Sequence, residues 1–93
     1  MVIQMNDALQ HLYETVLSRK AEHKEGSYTC YLFEKGLDKI LKKCGEECSE
    51  VIIAAKNGKQ EDTVGELSDL LYHLTVLMVN EGIPYEAVEA ELA

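Results

Sequence analysis

The sequence contains few of the residues that break helices or cross-link chains. Its 93 residues include one proline, no tryptophan, one phenylalanine and three cysteines. No apolar run approaches the length of about 20 residues that spans a bilayer, and the first residues lack the basic and apolar segments of a signal peptide. The odd number of cysteines, with no histidine at zinc-ligand spacing, favours buried structural thiols and a reducing, cytoplasmic setting.

Basic residues are also scarce. Lysine and arginine total 9 against 17 aspartates and glutamates, which gives a formal net charge of −8. This balance argues against a nucleic-acid partner and against a membrane surface, because proteins bind both through basic residues that neutralise phosphate charges. Small phosphate ligands stay possible, since carboxylates hold metal cations that can in turn hold phosphates. With 46% apolar residues, the chain has the composition of a single folded domain, residues 1–93.

Apolar residues recur at helical spacing over most of the chain, without an alternating strand pattern or a hairpin dipeptide. The predicted helices run from Asn6, as N-cap, to about Lys24, from about Leu37 to Lys56, from about Glu61 to Asn80, and from Pro84 to about Leu92. Between the first two helices we expect a polar loop at 25–28, a short apolar turn at 31–33 and a break at Gly36. The expected fold is all-α, an antiparallel helical bundle of about four helices that is completed by oligomerisation.

Two of the predicted helices carry most of the core. On the second, the face predicted to be buried consists of Leu37, Leu41, Cys44, Cys48, Val51, Ile52 and Ala55. The third helix is apolar on nearly every side between Leu67 and Val79, so we expect it at the centre of the bundle. One layer of neighbours in so short a chain does not cover such a helix. The pattern therefore predicts a homo-oligomer, at least a dimer.

Two pairs of acidic residues fall beside these apolar faces. Glu47 and Glu50 lie at i, i+3 in the second helix, with Glu47 at the margin of the predicted face. Glu66 and Asp69 repeat the spacing in the third helix. Carboxylates near an apolar interior are costly unless a cation compensates them. If the two helices pack antiparallel, the four acids converge into a set of oxygen donors that suits magnesium first and manganese second.

Neighbouring lysines leave a second interpretation open. Salt bridges would neutralise the acids without any metal, and the lysines at suitable spacing are Lys39, Lys42 and Lys43. Lys39 and Lys43 also lead into Glu47 and Glu50 along one stripe of the helix, which suits the binding of a polyphosphate whose oxygens carry metal ions. His73 lies on the same side of the third helix as its acids. It is either a hydrogen-bond donor to the substrate or to a metal-bound carboxylate, or a structural residue.

Several motifs together resemble those of the phosphoribosyl-ATP pyrophosphohydrolase family of histidine biosynthesis. The resembling segments are Gly26-Ser27-Tyr28-Thr29, Lys39-Ile40, Lys42-Lys43, Gly45-Glu46-Glu47, Glu50, Glu66 and Asp69-Leu70-Leu71-Tyr72-His73. The resemblance covers nearly the whole chain, from about Leu9 to Leu92. The acidic pairs alone indicate only the wider all-α superfamily of nucleoside triphosphate pyrophosphohydrolases. The serine-tyrosine-threonine segment and the stretch from Lys42-Lys43 to Gly45-Glu46-Glu47 are more specific.

The resemblance implies hydrolysis of the α–β phosphoanhydride of phosphoribosyl-ATP to phosphoribosyl-AMP and pyrophosphate, in a magnesium-dependent, oligomeric helical protein. It implies metal binding by Glu47, Glu50, Glu66 and Asp69, with Glu46 as a neighbour that binds a further ion or orients water. Relatives are often fused to the cyclohydrolase of the next step. Because one domain fills this chain, we expect that second activity to come from another protein.

The chemistry assigns further roles within this reaction. Water activated by magnesium is the expected nucleophile, with Glu46 or Glu47 as the catalytic base. The lysine stripe would stabilise the charge of the leaving pyrophosphate. Lys35 and the Ser27–Thr29 loop are expected to close over phosphate or ribose, although Ser27 and Thr29 suit equally the cap of a helix.

Two other functions stay open. A house-cleaning pyrophosphohydrolase that acts on free nucleoside triphosphates or dUTP would use the same acids. A small acidic helical module that only binds a partner protein would use them for salt bridges. The activity of the purified protein towards phosphoribosyl-ATP and the common nucleotides separates the three.

Overall fold

The computed structural model describes residues 5–93, with side chains from Asp7 onward, and this part of the chain is all-α. The helices are α1 (Met5–Ala21), α2 (Tyr28–Lys35), α3 (Leu37–Asn57), α4 (Gln60–Asn80) and α5 (Tyr85–Leu92). There are thus five helices in the described range, since an eight-residue helix occupies the place of the predicted apolar turn. None of them combines the length and the apolarity that a bilayer crossing requires.

Helix α2 forms because its first turn is capped. The side-chain oxygen of Ser27 accepts a hydrogen bond from the backbone N–H of Cys30 at 3.2 Å, which satisfies one of the free donors at the helix start. At the other end, Gly36 has a φ of 90°, in a region that glycine tolerates, and its N–H donates to the carbonyl of Leu32. Gly36 therefore separates α2 from α3, as predicted, and the capping role foreseen for Ser27 is confirmed.

Helix α1 ends at Ala21, three residues before the predicted end. The N–H of Lys24 donates to the sulfur of Cys30 at 3.3 Å and not to a helix carbonyl. The Cys30 thiol in turn donates to the carbonyl of Arg19 at 3.5 Å, and the residue is 3% exposed. A buried thiol from α2 thus terminates α1. The predicted N-cap, Asn6, lies inside α1, and its side chain is outside the described set.

Helices α3 and α4 form an antiparallel hairpin, and they pack on one another more extensively than any other pair. The hairpin turns at Gly58, which has a left-handed φ of 81° and donates its N–H to the carbonyls of Ala54 and Ala55. Lys59 follows as the N-cap of α4. Both predicted helices agree with the observed bounds to within one residue, because glycine gives a strong local stop signal.

The buried face of α3 differs from the predicted one. Ile40, Cys44 and Ala54 are buried, whereas most of the predicted face is exposed, namely Leu37, Leu41, Cys48, Ile52 and Ala55. The helix has two apolar stripes, and the narrower one faces the core. At 100° per residue, Glu47 projects roughly 20° from Ile40 around the axis. Glu47 therefore lies within the buried stripe and not at its margin.

Helix α4 packs in the middle of the chain, against α1, α2 and α3. The core combines buried residues of α4 with those of the first three helices, namely Val16, Leu32, Ile40, Cys44, Val76 and Val79. One stripe of α4 stays uncovered, since Val64, Leu67 and Leu71 are exposed. The hydroxyl of Tyr13 donates to the carbonyl of Ile83 at 2.8 Å and ties α1 to the loop before α5. Pro84 is the N-cap of α5.

Two isoleucines of α3 test which stripe carries the core. Ile40 is 0% exposed and Ile52 is 65% exposed. We expect Ile40→Ala to lower the free energy of unfolding by about 2–5 kcal/mol, because it leaves a cavity among packed side chains. Ile52→Ala should change it by less than about 0.5 kcal/mol. Urea unfolding followed by circular dichroism measures both, and equal losses would contradict the assignment of the buried stripe.

Candidate active site

Three carboxylates meet where α3 and α4 face one another. Glu47 comes from the buried stripe of α3, while Glu66 and Asp69 come from neighbouring turns of α4. One oxygen from each of the three lies within 4.8 Å of the others. Glu47 and Glu66 are half-buried, and Asp69 is exposed at the edge. We call these three residues the acidic cluster.

The acidic cluster is under electrostatic strain. Partial burial raises the pKa of Glu66, and the negative charges of Glu50, Glu47 and Asp69 raise it further. A hydrogen bond with Glu47 also favours the protonated form of Glu66. Glu50 is exposed and is not one of the three converging residues, but its charge reaches Glu66. The four predicted metal ligands therefore divide into three that converge and one that lies beside them.

Lysine pairing does not relieve this strain. Among the described residues, none of the three lysines forms the predicted salt bridge with Glu47, Glu50, Glu66 or Asp69. Lys43 pairs with Glu46 instead, with Nζ 3.2 Å from Oε1. This hydrogen bond raises the pKa of Lys43 and lowers the pKa of Glu46. Between residues 7 and 93, no ion pair reaches any carboxylate of the acidic cluster. Three unpaired carboxylate oxygens form a donor set that fits a hard divalent cation such as Mg²⁺ or Mn²⁺.

The two candidate bases have different surroundings. Glu46 is exposed and paired with Lys43, and its lowered pKa makes it a weaker proton acceptor. Glu47 is half-buried inside the acidic cluster. The geometry thus favours Glu47 over Glu46 for contact with a reacting water.

His73 is buried between the acidic cluster and α2, at 5% exposure. Its Nδ1 lies 2.8 Å from the carbonyl oxygen of Asp69, so Nδ1 carries the proton and donates. In the neutral ring, Nε2 then accepts from the hydroxyl of Tyr28 at 3.0 Å. Partial burial raises the pKa of Tyr28, which keeps this hydroxyl protonated. Both ring nitrogens are used by the protein itself, and substrate binding by His73 stays a prediction.

The tyrosines of the site escaped sequence reasoning. Thr29, predicted to contact phosphate or ribose or to cap a helix, shares a hydrogen bond with the hydroxyl of Tyr72, and its contact with substrate stays a prediction. Tyr28 and Tyr72 were present in the resembling motifs, but neither was singled out. Tyr28 bonds to His73, 45 positions away, and Tyr72 bonds to Thr29, 43 positions away, so no local pattern marked either tyrosine. Burial is also the first cause that raises the pKa of Tyr72.

The lysines predicted to bind substrate differ in their burial and in the groups that they contact or influence. Lys39 and Lys43 are half-buried on α3, and the charge of Lys43 acts on Tyr28. Glu47, in return, contributes to the raised pKa of Lys43. Lys35 is exposed, and its Nζ lies 5.7 Å from the centre of the Tyr31 ring. Lys43 is therefore the lysine that the structure relates most directly to the acidic cluster.

Comparison with known proteins relates most of the chain to one family. The sequence model of the family described as phosphoribosyl-ATP pyrophosphohydrolase matches residues 9–93. A protein of Listeria monocytogenes serotype 4a (strain HCC23) named phosphoribosyl-ATP pyrophosphatase is 61% identical over 84 residues, which is 90% of this chain and 81% of that protein. Proteins of the same name from Streptococcus gordonii and Clostridium novyi are 57% and 52% identical, over 90% and 92% of this chain and 81% and 78% of their own lengths. The chain therefore belongs to the phosphoribosyl-ATP pyrophosphohydrolase family.

Proposed function

We propose that this protein hydrolyses phosphoribosyl-ATP to phosphoribosyl-AMP and pyrophosphate in histidine biosynthesis, with Mg²⁺ held by Glu47, Glu66 and Asp69. The observation that carries the proposal is the convergence of three unpaired carboxylates in a chain of this family. Salt bridges to lysine do not account for the cluster. A divalent cation does, because it compensates the charges that raise the pKa of Glu66.

The donor set fits magnesium, with manganese as the alternative. All the converging groups are carboxylate oxygens, and no cysteine or imidazole nitrogen is among them. When bound, Mg²⁺ supplies Lewis-acid stabilisation of phosphoryl oxygens and makes water easier to deprotonate. Glu50 lies beside the cluster and adds negative charge that strengthens the attraction for a cation. In this proposal Glu47, Glu66 and Asp69 are the ligands, and Glu50 adds negative charge without being one of the converging groups.

Three residues of the protein have separate roles in the proposed reaction. Glu47 has two oxygens, so one is free to accept the proton of the attacking water while the other binds the cation. Lys43 supplies positive charge beside the cluster, where charge develops on the leaving pyrophosphate. Glu46 holds Lys43 at 3.2 Å and so limits where its ammonium group can lie. Glu46 is in this proposal a positioning residue and Glu47 the base.

We also propose that the protein is a homo-oligomer, at least a dimer, that forms through α4 and α5. An apolar groove of about 640 Å³ runs between these helices and the start of α1. Its lining is almost entirely apolar, consisting of Leu9, Leu71, Leu74, Thr75, Leu77, Met78, Tyr85, Val88, Glu89 and Leu92. The exposed stripe of α4 continues this surface. A second copy offers the same apolar surface, so a two-fold contact buries both at once.

The proposed ligands predict which variants lose activity. We expect Asp69→Asn and Glu47→Gln to lower Mg²⁺-dependent release of pyrophosphate from phosphoribosyl-ATP by at least about 100-fold, because each removes a charged ligand. Both variants should fold, since each also removes a source of repulsion. Asp38→Asn, an exposed change in the first turn of α3, is the matched control and should retain wild-type activity.

The same assay separates the other functions. Equal rates with phosphoribosyl-ATP, ATP and dUTP would favour a house-cleaning pyrophosphohydrolase and contradict the proposed substrate. A folded wild-type protein that hydrolyses none of them at any Mg²⁺ concentration would favour a non-catalytic binding module.

The raised pKa of Glu66 predicts a pH dependence. Without metal, the folded state binds a proton at Glu66 more readily than the unfolded chain does. Its stabilising contribution is therefore complete below the ordinary pKa of glutamate and is lost as pH rises through the raised pKa. Glu66→Gln mimics the protonated form, so in EDTA it should be more stable than wild type near pH 7, and the difference should shrink on acidification.

Saturating Mg²⁺ should reverse that order near pH 7, because the cation stabilises wild type and binds the glutamine variant weakly. Urea unfolding between about pH 4 and about pH 8, with EDTA or with Mg²⁺, measures both effects. A metal-free Glu66→Gln variant that is less stable than wild type near neutral pH would contradict the assignment of strain to Glu66.

The oligomer is tested by a charge placed in the groove. Wild type should sediment as a dimer or larger at micromolar concentration, and Leu71→Lys should sediment as a monomer, because a lysine cannot be desolvated there without a partner. Leu17→Lys, on an exposed position of α1 outside the groove, should leave the assembly unchanged. A monomeric wild type would refute the proposal.

A further inference from the structure

Tyr28 combines an exposed ring with a firmly held hydroxyl. The side chain is 44% exposed, yet its hydroxyl bonds to the buried His73 at 3.0 Å. The charges of Lys43 and Glu47 both act on this hydroxyl. Tyr28 is therefore linked through His73 to the turn of α4 that carries Asp69, and solvent reaches its ring.

The hydroxyl is held through a chain of two hydrogen bonds. His73 donates from Nδ1 to the carbonyl of Asp69, which fixes the ring on the turn of α4 that carries a cluster carboxylate. Its Nε2 is then aimed at Tyr28. The neighbouring bond between Thr29 and Tyr72 is a second contact between α2 and α4. Within residues 7–93, these are the side-chain hydrogen bonds that join α2 to α4.

Neighbouring rings limit the movement of the Tyr28 ring further. Tyr31 stacks on it at 6.0 Å between centroids and 23° between planes, and Tyr72 at 6.2 Å and 29°. The edge of His73 contacts it at 5.7 Å. A cavity of about 390 Å³ opens beside Tyr28 and Tyr31, bounded by the loop at 23–27. An aromatic ring held in this way offers a rigid surface at little entropic cost on binding.

We propose that Tyr28 contacts the nucleoside part of phosphoribosyl-ATP and that His73 is the positioning residue that aims it. This inference rests on the proposed phosphoanhydride site at the acidic cluster. The phosphates then lie between Lys43 and the cluster, and the nucleoside extends over the tyrosines towards the loop at 23–27. A purine or ribose face matches an exposed tyrosine ring, which binds through stacking and does not require a charged partner.

Product inhibition tests the contact without relying on the chemical step. Phosphoribosyl-AMP keeps the nucleoside and lacks the pyrophosphate, whereas pyrophosphate lacks the nucleoside. Tyr28→Ala should raise the inhibition constant for phosphoribosyl-AMP by roughly 5- to 150-fold, the range of a lost base–aromatic stack. The inhibition constant for pyrophosphate should stay within about twofold of wild type. A merely structural role would weaken both products alike.

The hydrogen bond to His73 is tested separately. Tyr28→Phe keeps the ring and removes the hydroxyl, so KM and the inhibition constant for phosphoribosyl-AMP should rise roughly threefold to tenfold, with kcat nearly unchanged. His73→Asn should have the same effect, since asparagine can still donate to the carbonyl of Asp69 but does not reach Tyr28. The double variant should be no worse than either single one. Tyr85→Phe, in α5 and outside the cavity beside Tyr28, is the matched control and should behave as wild type.

Each outcome decides between the two proposals. If wild type hydrolyses phosphoribosyl-ATP, Asp69→Asn does not, and folded Tyr28 variants inhibit as wild type does, the nucleoside contact is wrong and the proposed function stands. If wild type is inactive, the proposed function fails first. If Tyr28→Ala does not fold, the Phe and Asn variants decide, because additive effects of Tyr28→Phe and His73→Asn would overturn the positioning role.

Discussion

Repulsion between carboxylates is the constraint on which the site depends. Glu47, Glu66 and Asp69 bring oxygens within 4.8 Å of one another, and the charge of Glu50 reaches the same place. In partly buried surroundings, like charges repel more strongly than they do on an exposed helix. The metal-free protein relieves the repulsion by favouring a proton on Glu66. The proposed divalent cation would relieve it more fully, and the repulsion within the cluster would then contribute to the affinity for the cation.

The fold has to hold the acids together against that repulsion. The hairpin of α3 and α4 does so from one end, where Gly58 closes the turn and fixes the register of the two helices. Ile40 and Val76, both fully buried in the core, hold the same helices together near the ends that are remote from the turn. Helix α2 adds a third support through Tyr28 and Thr29. These supports surround the cluster on the protein side and leave Asp69 exposed towards solvent.

Features that depend on neighbouring residues could be read from the sequence, and those that depend on distant ones could not. The bounds of α3 and α4 follow from local signals, and so does the i, i+3 spacing of the acids. The buried face of α3 was misassigned because the helix has two apolar stripes, and only the partner helix decides which of them is covered. The bond between Tyr28 and His73 joins residues 45 positions apart. Only the tertiary fold brings them together.

Helix α4 presents a different chemistry on each side. Glu66 and Asp69 face α3, His73 and Tyr72 bond to α2, and Leu67 and Leu71 remain exposed. A second copy packed on the exposed side would hold α4 against α2 and α3. Loss of that contact would move Glu66, Asp69 and His73 together, because one rigid helix carries all three. The proposed affinities for metal and nucleotide would then fall together, whereas a change at Tyr28 leaves the carboxylates of the acidic cluster where they are.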